Sequence, residues 1–185
     1  MLIIFIVLII VAIPFVVALF VKKNYSVERE ITINRPKQVV FEYLKYLKNQ
    51  DKFNKWSTMD PNMKKEYRGT DATVGFVSAW ESQNRNVGKG EQEIRKIIEG
   101  KRIDFELRFI KPFSGVANAY ITTDSMSRSE TIVNWGFDSK MNYPMNLMLL
   151  FNIEKTIGND LATGLTNLKN QLEQQPIIDL RNNNH

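Results

Sequence analysis

The sequence predicts an α+β protein: one strand, two short helices, six further antiparallel strands and a long C-terminal helix, preceded by a single N-terminal transmembrane helix. Three observations predict it. Leu2 to Val21 is a run of twenty uncharged, almost wholly apolar residues. From Met63 to Asp138, turn-forming clusters recur with strand-length segments between them. Beyond them Leu150, Ile153, Ile157, Leu161, Leu165, Leu168 and Leu172 repeat every three or four residues, which puts one apolar stripe on one helix.

The N-terminal run comes first. At 1.5 Å per residue a helix of that length covers about 30 Å, the hydrocarbon thickness of a bilayer. No Lys or Arg precedes it and Lys22-Lys23 follow it, which is the pattern of an uncleaved anchor and not of a cleaved signal peptide. Pro14 removes one N–H and introduces a mild kink. The positive-inside rule keeps the Lys22-Lys23 side in the cytoplasm, so the expected protein is single-pass in the cell membrane with its folded domain on the cytoplasmic side. The expected units are residues 1–23 as anchor, 24–175 as a folded domain and 176–185 as a polar tail.

Ser26 to Asn34 alternates Val27, Ile31 and Ile33 with Glu28, Glu30 and Thr32, as a half-buried strand does. Pro36 opens a helix that carries Val40, Tyr43, Leu44 and Leu47 on one face. A short second helix follows over Asp51 to Trp56, and Asp60-Pro61 breaks the chain. The turn signals after it are Gly69-Thr70-Asp71, Asn84-Arg85-Asn86, Glu99-Gly100-Lys101, Pro112 to Gly115 and Ser125-Met126-Ser127. They mark out a meander of six strands. Alternation is clearest where Ile103, Phe105, Leu107 and Phe109 face Asp104, Glu106 and Arg108 across the strand, and again at Thr131, Val133, Trp135 and Phe137. A sheet with one apolar face needs a cover, and the C-terminal helix, expected from Tyr143-Pro144 to Leu172, is the one large apolar stripe left to supply it. Gly158 and Gly164 inside that helix each cost roughly 1 kcal/mol against alanine, so each implies a bend or a close approach.

Composition excludes several chemistries. The 185 residues contain no cysteine and one histidine, His185, in the terminal Arg181-Asn182-Asn183-Asn184-His185 tail. Disulfides, thiolate metal sites, a multi-histidine metal centre and a Ser-His-Asp triad are therefore out of reach, and neither a metal nor a cofactor is expected. The net charge of +5 lies between Lys22 and Lys55, where nine basic residues meet four acids; the remainder is balanced. That excess sits beside the expected membrane and not on a nucleic-acid face. Gly88-Lys89-Gly90-Glu91 lacks phosphate-loop spacing and reads as strand irregularity or a bulge. Glu91, Glu93, Asp104 and Glu106 fall on the solvated strand face, to be paired with Arg95 and Arg108.

The segments Phe53 to Ser57, Asp60 to Met63, Gly69-Thr70-Asp71, Val74-Gly75, Trp80-Glu81, Val87 to Glu91, Lys111-Pro112-Phe113, Thr131 to Trp135, Gly164-Leu165 and Asn167-Leu168-Lys169 carry a resemblance. Taken in this order, roughly from Tyr25 to Gln174, the chain resembles the START and birch-pollen-allergen (SRPBCC) superfamily. It is most similar to bacterial membrane-anchored members of its polyketide cyclase/dehydrase and lipid-transport branch. It departs from them at Ser82 to Asn86, a more polar hairpin than the short turn of relatives. The resemblance implies a helix-grip fold, a curved seven-stranded sheet around the C-terminal helix, with a ligand cavity between the two.

The residues expected to line that cavity are Phe76, Trp80, Phe105, Leu107, Phe109, Tyr120, Val133 and Trp135 from the sheet, and Leu150, Ile157 and Leu161 from the helix. An aromatic wall with few polar anchors suits a hydrophobic small molecule or lipid; the same pattern also builds an ordinary core. Tyr120, Asn118 and Gln92 are the expected inward polar groups, and no residue is assigned as catalytic. The resemblance supports binding or sequestration of an apolar ligand first. Its alternatives are a cyclase or dehydratase acting on an apolar substrate, and an interaction module resembling Hsp90-activator domains with the cavity collapsed.

Overall fold

The alternation read from the sequence becomes a single seven-stranded antiparallel sheet in the computed structural model, which describes residues 2–174. Helix α1 (Leu2–Phe20) leads into β1 (Asn24–Ile33), then α2 (Lys37–Lys45), a 3-10 turn (Leu47–Asn49), α3 (Gln50–Phe53) and α4 (Lys55–Thr58). Strands β2 (Lys64–Arg68), β3 (Val77–Glu81), β4 (Lys89–Ile98), β5 (Arg102–Lys111), β6 (Gly115–Ser125) and β7 (Thr131–Lys140) follow as hairpins. A 3-10 segment (Met145–Phe151) precedes α5 (Ile153–Gln174). The sheet order β1-β7-β6-β5-β4-β3-β2 is a meander closed at one edge by the first strand, the helix-grip arrangement.

Helix α5 lies across the concave face and runs alongside β1 in the same direction. Lys22 pairs with Glu154 at 2.7 Å at one end, while Glu173 accepts the Asn34 amide at 2.6 Å at the other. Gly158 and Gly164 are close approaches: a Cβ at Gly158 would run into the Arg29 guanidinium, and one at Gly164 would stand 2.8 Å from the Trp135 ring. The short helices brace the far side of α5. There Lys55 pairs with Asp160, and the Asn167 side-chain amide donates to the Phe53 carbonyl at 3.1 Å.

The C-terminal half of α5 seals a solid core. Leu165, Leu168 and Leu172 are buried among Ile33, Val40, Phe41, Leu44, Ile94, Ile103, Phe105, Ile121 and Val133. Two sequence expectations are corrected here. The long helix starts at Ile153 and not at Pro144, because Asn152 adopts a left-handed backbone (φ 57°) that separates it from the 3-10 segment. The expected second helix is two single turns divided at Asn54, whose extended backbone lets its side chain cap Trp56 N at 3.0 Å. The expected polar tail, with Gln175 and Pro176 at the stop of α5, lies outside the described residues.

Helix α1 stands apart from this packing. Of its described side chains from Ile3 to Phe20, all but Ala18 are exposed. Its last turn is nonetheless tied to the folded part: the buried Asn146 side chain donates to the carbonyls of Ala18 and Val21 at 2.7 and 2.9 Å. Two otherwise unpaired carbonyls at the helix end are thereby satisfied.

Candidate functional site

Between the N-terminal half of α5 and the sheet the packing opens into a cavity of about 420 Å³. Its roof is Ile153, Ile157 and Leu161, and its floor includes Trp80, Leu107, Phe109, Ala119, Trp135 and Phe137. One register explains both the solid end and the open one. Inward residues of β5 are core at Ile103 and Phe105, then cavity wall at Leu107 and Phe109; on β7 the change falls between Val133 and Trp135. Opposite Phe105 stands Ala119 of β6, whose small side chain leaves space at the cavity floor.

Aromatic contacts fix the wall. Trp135 meets Phe53 edge-on at 5.8 Å between ring centroids, and Trp80 meets Phe109 in the same way at 6.2 Å. Trp80 also donates through Nε1 to the Val87 carbonyl at 3.2 Å. Gly90 makes room for it, since a Cβ there would lie 2.7 Å from the Trp80 ring and from the Arg108 carbonyl. The register shifts between Lys89 and Gly90, where Ile110 of β5 has no partner across the ladder, so the irregularity expected at the glycines falls here with its extra residue on the facing strand.

The mouth lies beside the end of α1. Its rim is Lys111 to Gly115 of the β5–β6 turn with Lys140 and Met141, and Met141 N donates to the Lys23 carbonyl at 2.9 Å. Phe113 in this turn and Val116 at the start of β6 are exposed apolar residues, as are Met148, Leu150 and Phe151 of the 3-10 segment that follows β7.

Polar groups enter the wall from α3, α4 and the β2–β4 side. Gln92 donates to Gln50 at 3.3 Å, and Ser78 stands across the ladder from Gln92. Asp51 accepts from Lys65 at 2.6 Å, from Ser57 at 3.4 Å and from the Tyr67 hydroxyl. Burial and the Asp51 carboxylate together hold the Tyr67 phenol well above the ordinary tyrosine range. Lys65 and Asp51 thus form an ion pair on the cavity wall.

Of the eleven expected lining residues, Trp80, Leu107, Phe109, Trp135, Ile157 and Leu161 meet at the cavity. Phe76, Phe105 and Val133 point inward but belong to the closed core; Phe76 stacks on Tyr67 at 6.1 Å. Leu150 is 57 % exposed, because the chain turns at Asn152 before α5 begins. Tyr120 faces outward. Its ring lies over Gly136, its hydroxyl donates to Glu28, and Arg102 stacks on it at 4.0 Å from the centroid. The Glu28 bond, with burial, pushes its pKa up to about 12. Asn118 shares that outer face, so of the three expected inward polar groups Gln92 alone lies on the wall.

The carboxylates sit on the solvated face as their alternation implied. Arg108 bridges Glu91 at 2.7 Å and Glu93 at 2.8 Å and also reaches Glu106, and Arg95 meets Glu93 at 2.7 Å. Sequence reasoning missed Gln50, Asp51, Ser57, Lys65 and Ser78. These lie on turns and on short strands where periodicity is weak, and Lys65 and Asp51 read individually as ordinary surface charges. Among the described residues no group of three or more His, Asp or Glu side chains is arranged to hold a metal ion.

No protein-family model and no curated protein matches this sequence. Solved structures do match its fold. Truncated norcoclaurine synthase from Thalictrum flavum aligns with a TM-score of 0.63 at 7% identity, over 84% of this chain and 98% of that one. The same enzyme in complex with dopamine and hydroxybenzaldehyde aligns at 0.61 and 10% identity, over 86% and 93%. The Aha1 dimer from Colwellia psychrerythraea aligns at 0.56 and 16% identity, over 81% and 97%. At such identities the likeness is one of fold: this chain shares the helix-grip fold of these structures.

Proposed function

We propose that this protein is a membrane-anchored binding protein that holds a hydrophobic small molecule or lipid between its sheet and α5. The observation that carries this reading is the cavity of about 420 Å³, apolar and aromatic over most of its wall, with polar groups on the α3, α4 and β2–β4 side and the charges of Lys111 and Lys140 at the mouth. Helix α1 supports the anchor. The stretch Ile3–Phe20 is long and apolar enough to cross a bilayer, and Lys22 and Lys23 follow it as they would on the cytoplasmic side. The cavity mouth beside the end of α1 suits a ligand that partitions into the bilayer, because the exit from lipid is then short. Norcoclaurine synthase, solved on the same fold with dopamine and hydroxybenzaldehyde, is a precedent for small organic ligands.

Solvent extraction of the purified full chain, followed by mass spectrometry, tests the reading. The expected result is an apolar molecule at near-equal stoichiometry, lost in Ile157→Trp, whose larger ring fills the cavity from the roof. An empty chain that also takes up no lipid from vesicles overturns it, and favours a partner-binding surface in the manner of Hsp90-activator domains. A second reading, a cyclase- or dehydratase-like enzyme, draws support from the Asp51–Lys65 pair on the wall. Turnover of a bound ligand that vanishes in Asp51→Asn while binding persists would establish it.

A further inference from the structure

The cavity wall contains one polar feature that is both buried and incompletely partnered. Gln50 is 3 % exposed, and its Nε2 has no hydrogen-bond partner; its Oε1 accepts from Gln92 at 3.3 Å. Gln92 sits mid-strand on the inner face of β4, between Ser78 and Leu107 across the ladder. Both glutamines line the cavity. Each amide offers two N–H donors and a carbonyl, and the single bond between them uses one donor and one acceptor. Exchanging O for N in both amides leaves the same surplus, so the unmet capacity does not depend on how either amide is oriented. A buried donor left without a partner is costly, and native proteins keep one where something completes it.

We propose that the Gln50–Gln92 pair is the polar anchor of the ligand, and that the ligand is an apolar body bearing one uncharged hydrogen-bonding group, a hydroxyl or a carbonyl. This rests on the cavity-binding reading and adds the chemistry of the occupant. The charges nearby argue for neutrality. Asp51 and Lys65 are 2.6 Å apart and cancel one another, and the Asp51 carboxylate is further occupied by Ser57 and Tyr67. No unbalanced charge is left on that side of the wall to receive a carboxylate or an ammonium, each of which is expensive to bury unpaired. The exposed cations of the cavity, Lys111 and Lys140, stand at the mouth, where an anionic head would stay in water.

The test uses the full chain in phosphatidylcholine vesicles with two photoreactive probes of equal length, a diazirine-bearing decane and the matching decanol. Cross-links to the peptide carrying Ile157 and Leu161 are counted by mass spectrometry at equal probe content of the bilayer. The expected result is about tenfold more labelling by the alcohol, the discrimination worth one good hydrogen bond in a dry site. In Gln50→Met/Gln92→Met, whose apolar pair fits the same space and keeps the fold, the ratio falls to about one while alkane labelling persists. Equal labelling by both probes in the native chain overturns the proposal and leaves cavity binding intact. So does a preference that survives the double substitution, or a decanoate probe that outcompetes the alcohol through Lys111 and Lys140. If neither probe marks the cavity peptide although both mark α1, the cavity-binding reading itself fails and the proposal falls with it.

Discussion

Gly158 and Gly164 look alike in the sequence and answer to different neighbours. A methyl at Gly158 meets the far end of Arg29, a long flexible side chain held there by one bond to the Glu28 carbonyl, whereas at Gly164 it meets Trp135, a buried ring held against Phe53. Gly158→Ala should therefore gain most of the helix-propensity difference, up to about 1 kcal/mol. Gly164→Ala should lose roughly 1–3 kcal/mol through overpacking. Denaturant unfolding of the two variants checks the contrast, and equal effects would contradict it. The same scale explains Tyr120. Its position alternates correctly for an outward residue, but an aromatic among apolar residues invites an inward assignment; only the hydroxyl bond to Glu28 and the space over Gly136 show where the ring goes.

Two elements decide how the molecule behaves at its boundaries. The 3-10 segment Met145–Phe151 is held to the last turn of α1 through Asn146, and it leaves Phe151 79 % exposed. If α1 spans a bilayer, that segment lies at its surface. Because the chain has no cysteine, Phe151→Cys can carry a single environment-sensitive fluorophore. In vesicles it should report an apolar setting, while the same label on Met126→Cys, in the β6–β7 turn at the opposite end of the sheet, should report water. The outer face of β4 and β5 makes a second case. Hydrogen bonds from Arg108, joined by Arg68 at Glu91 and by Arg95 at Glu93, hold both carboxyls below the ordinary carboxylate range. Groups depressed in the folded state contribute stability that is present above that range and lost as pH falls through the depressed one. Arg108→Met should thus lower Tm by roughly 2–4 °C near neutrality. The gap to the native protein should close at acid pH, and a gap constant with pH would contradict the assignment.

Across the whole molecule, one end of the α5–sheet interface is filled and the other is not. An unfilled end predicts linkage: an apolar ligand at a hundred times its dissociation constant should add about 2.7 kcal/mol to stability, read as a rise in Tm that is absent in Ile157→Trp. The sequence by itself determined the elements and their faces. Period-two alternation in Ile103 to Phe109 and the three-to-four spacing from Ile153 to Leu172 are local consequences of strand and helix geometry, so they can be read without knowing the partner. The apolar run of α1 and the outward carboxylates are legible for the same reason. Tertiary structure decided what the inward residues enclose. Phe105 and Leu107 are equivalent by pattern, yet one is packed and the other borders a cavity, because the volume between two layers depends on what the facing element brings. Asn152 separated Leu150 from the helical stripe of α5 by a backbone turn that apolar spacing does not encode. Gln50, Asp51 and Lys65 became wall residues only when α3 folded against β2 to β4, a meeting of segments distant in sequence that no local period can announce.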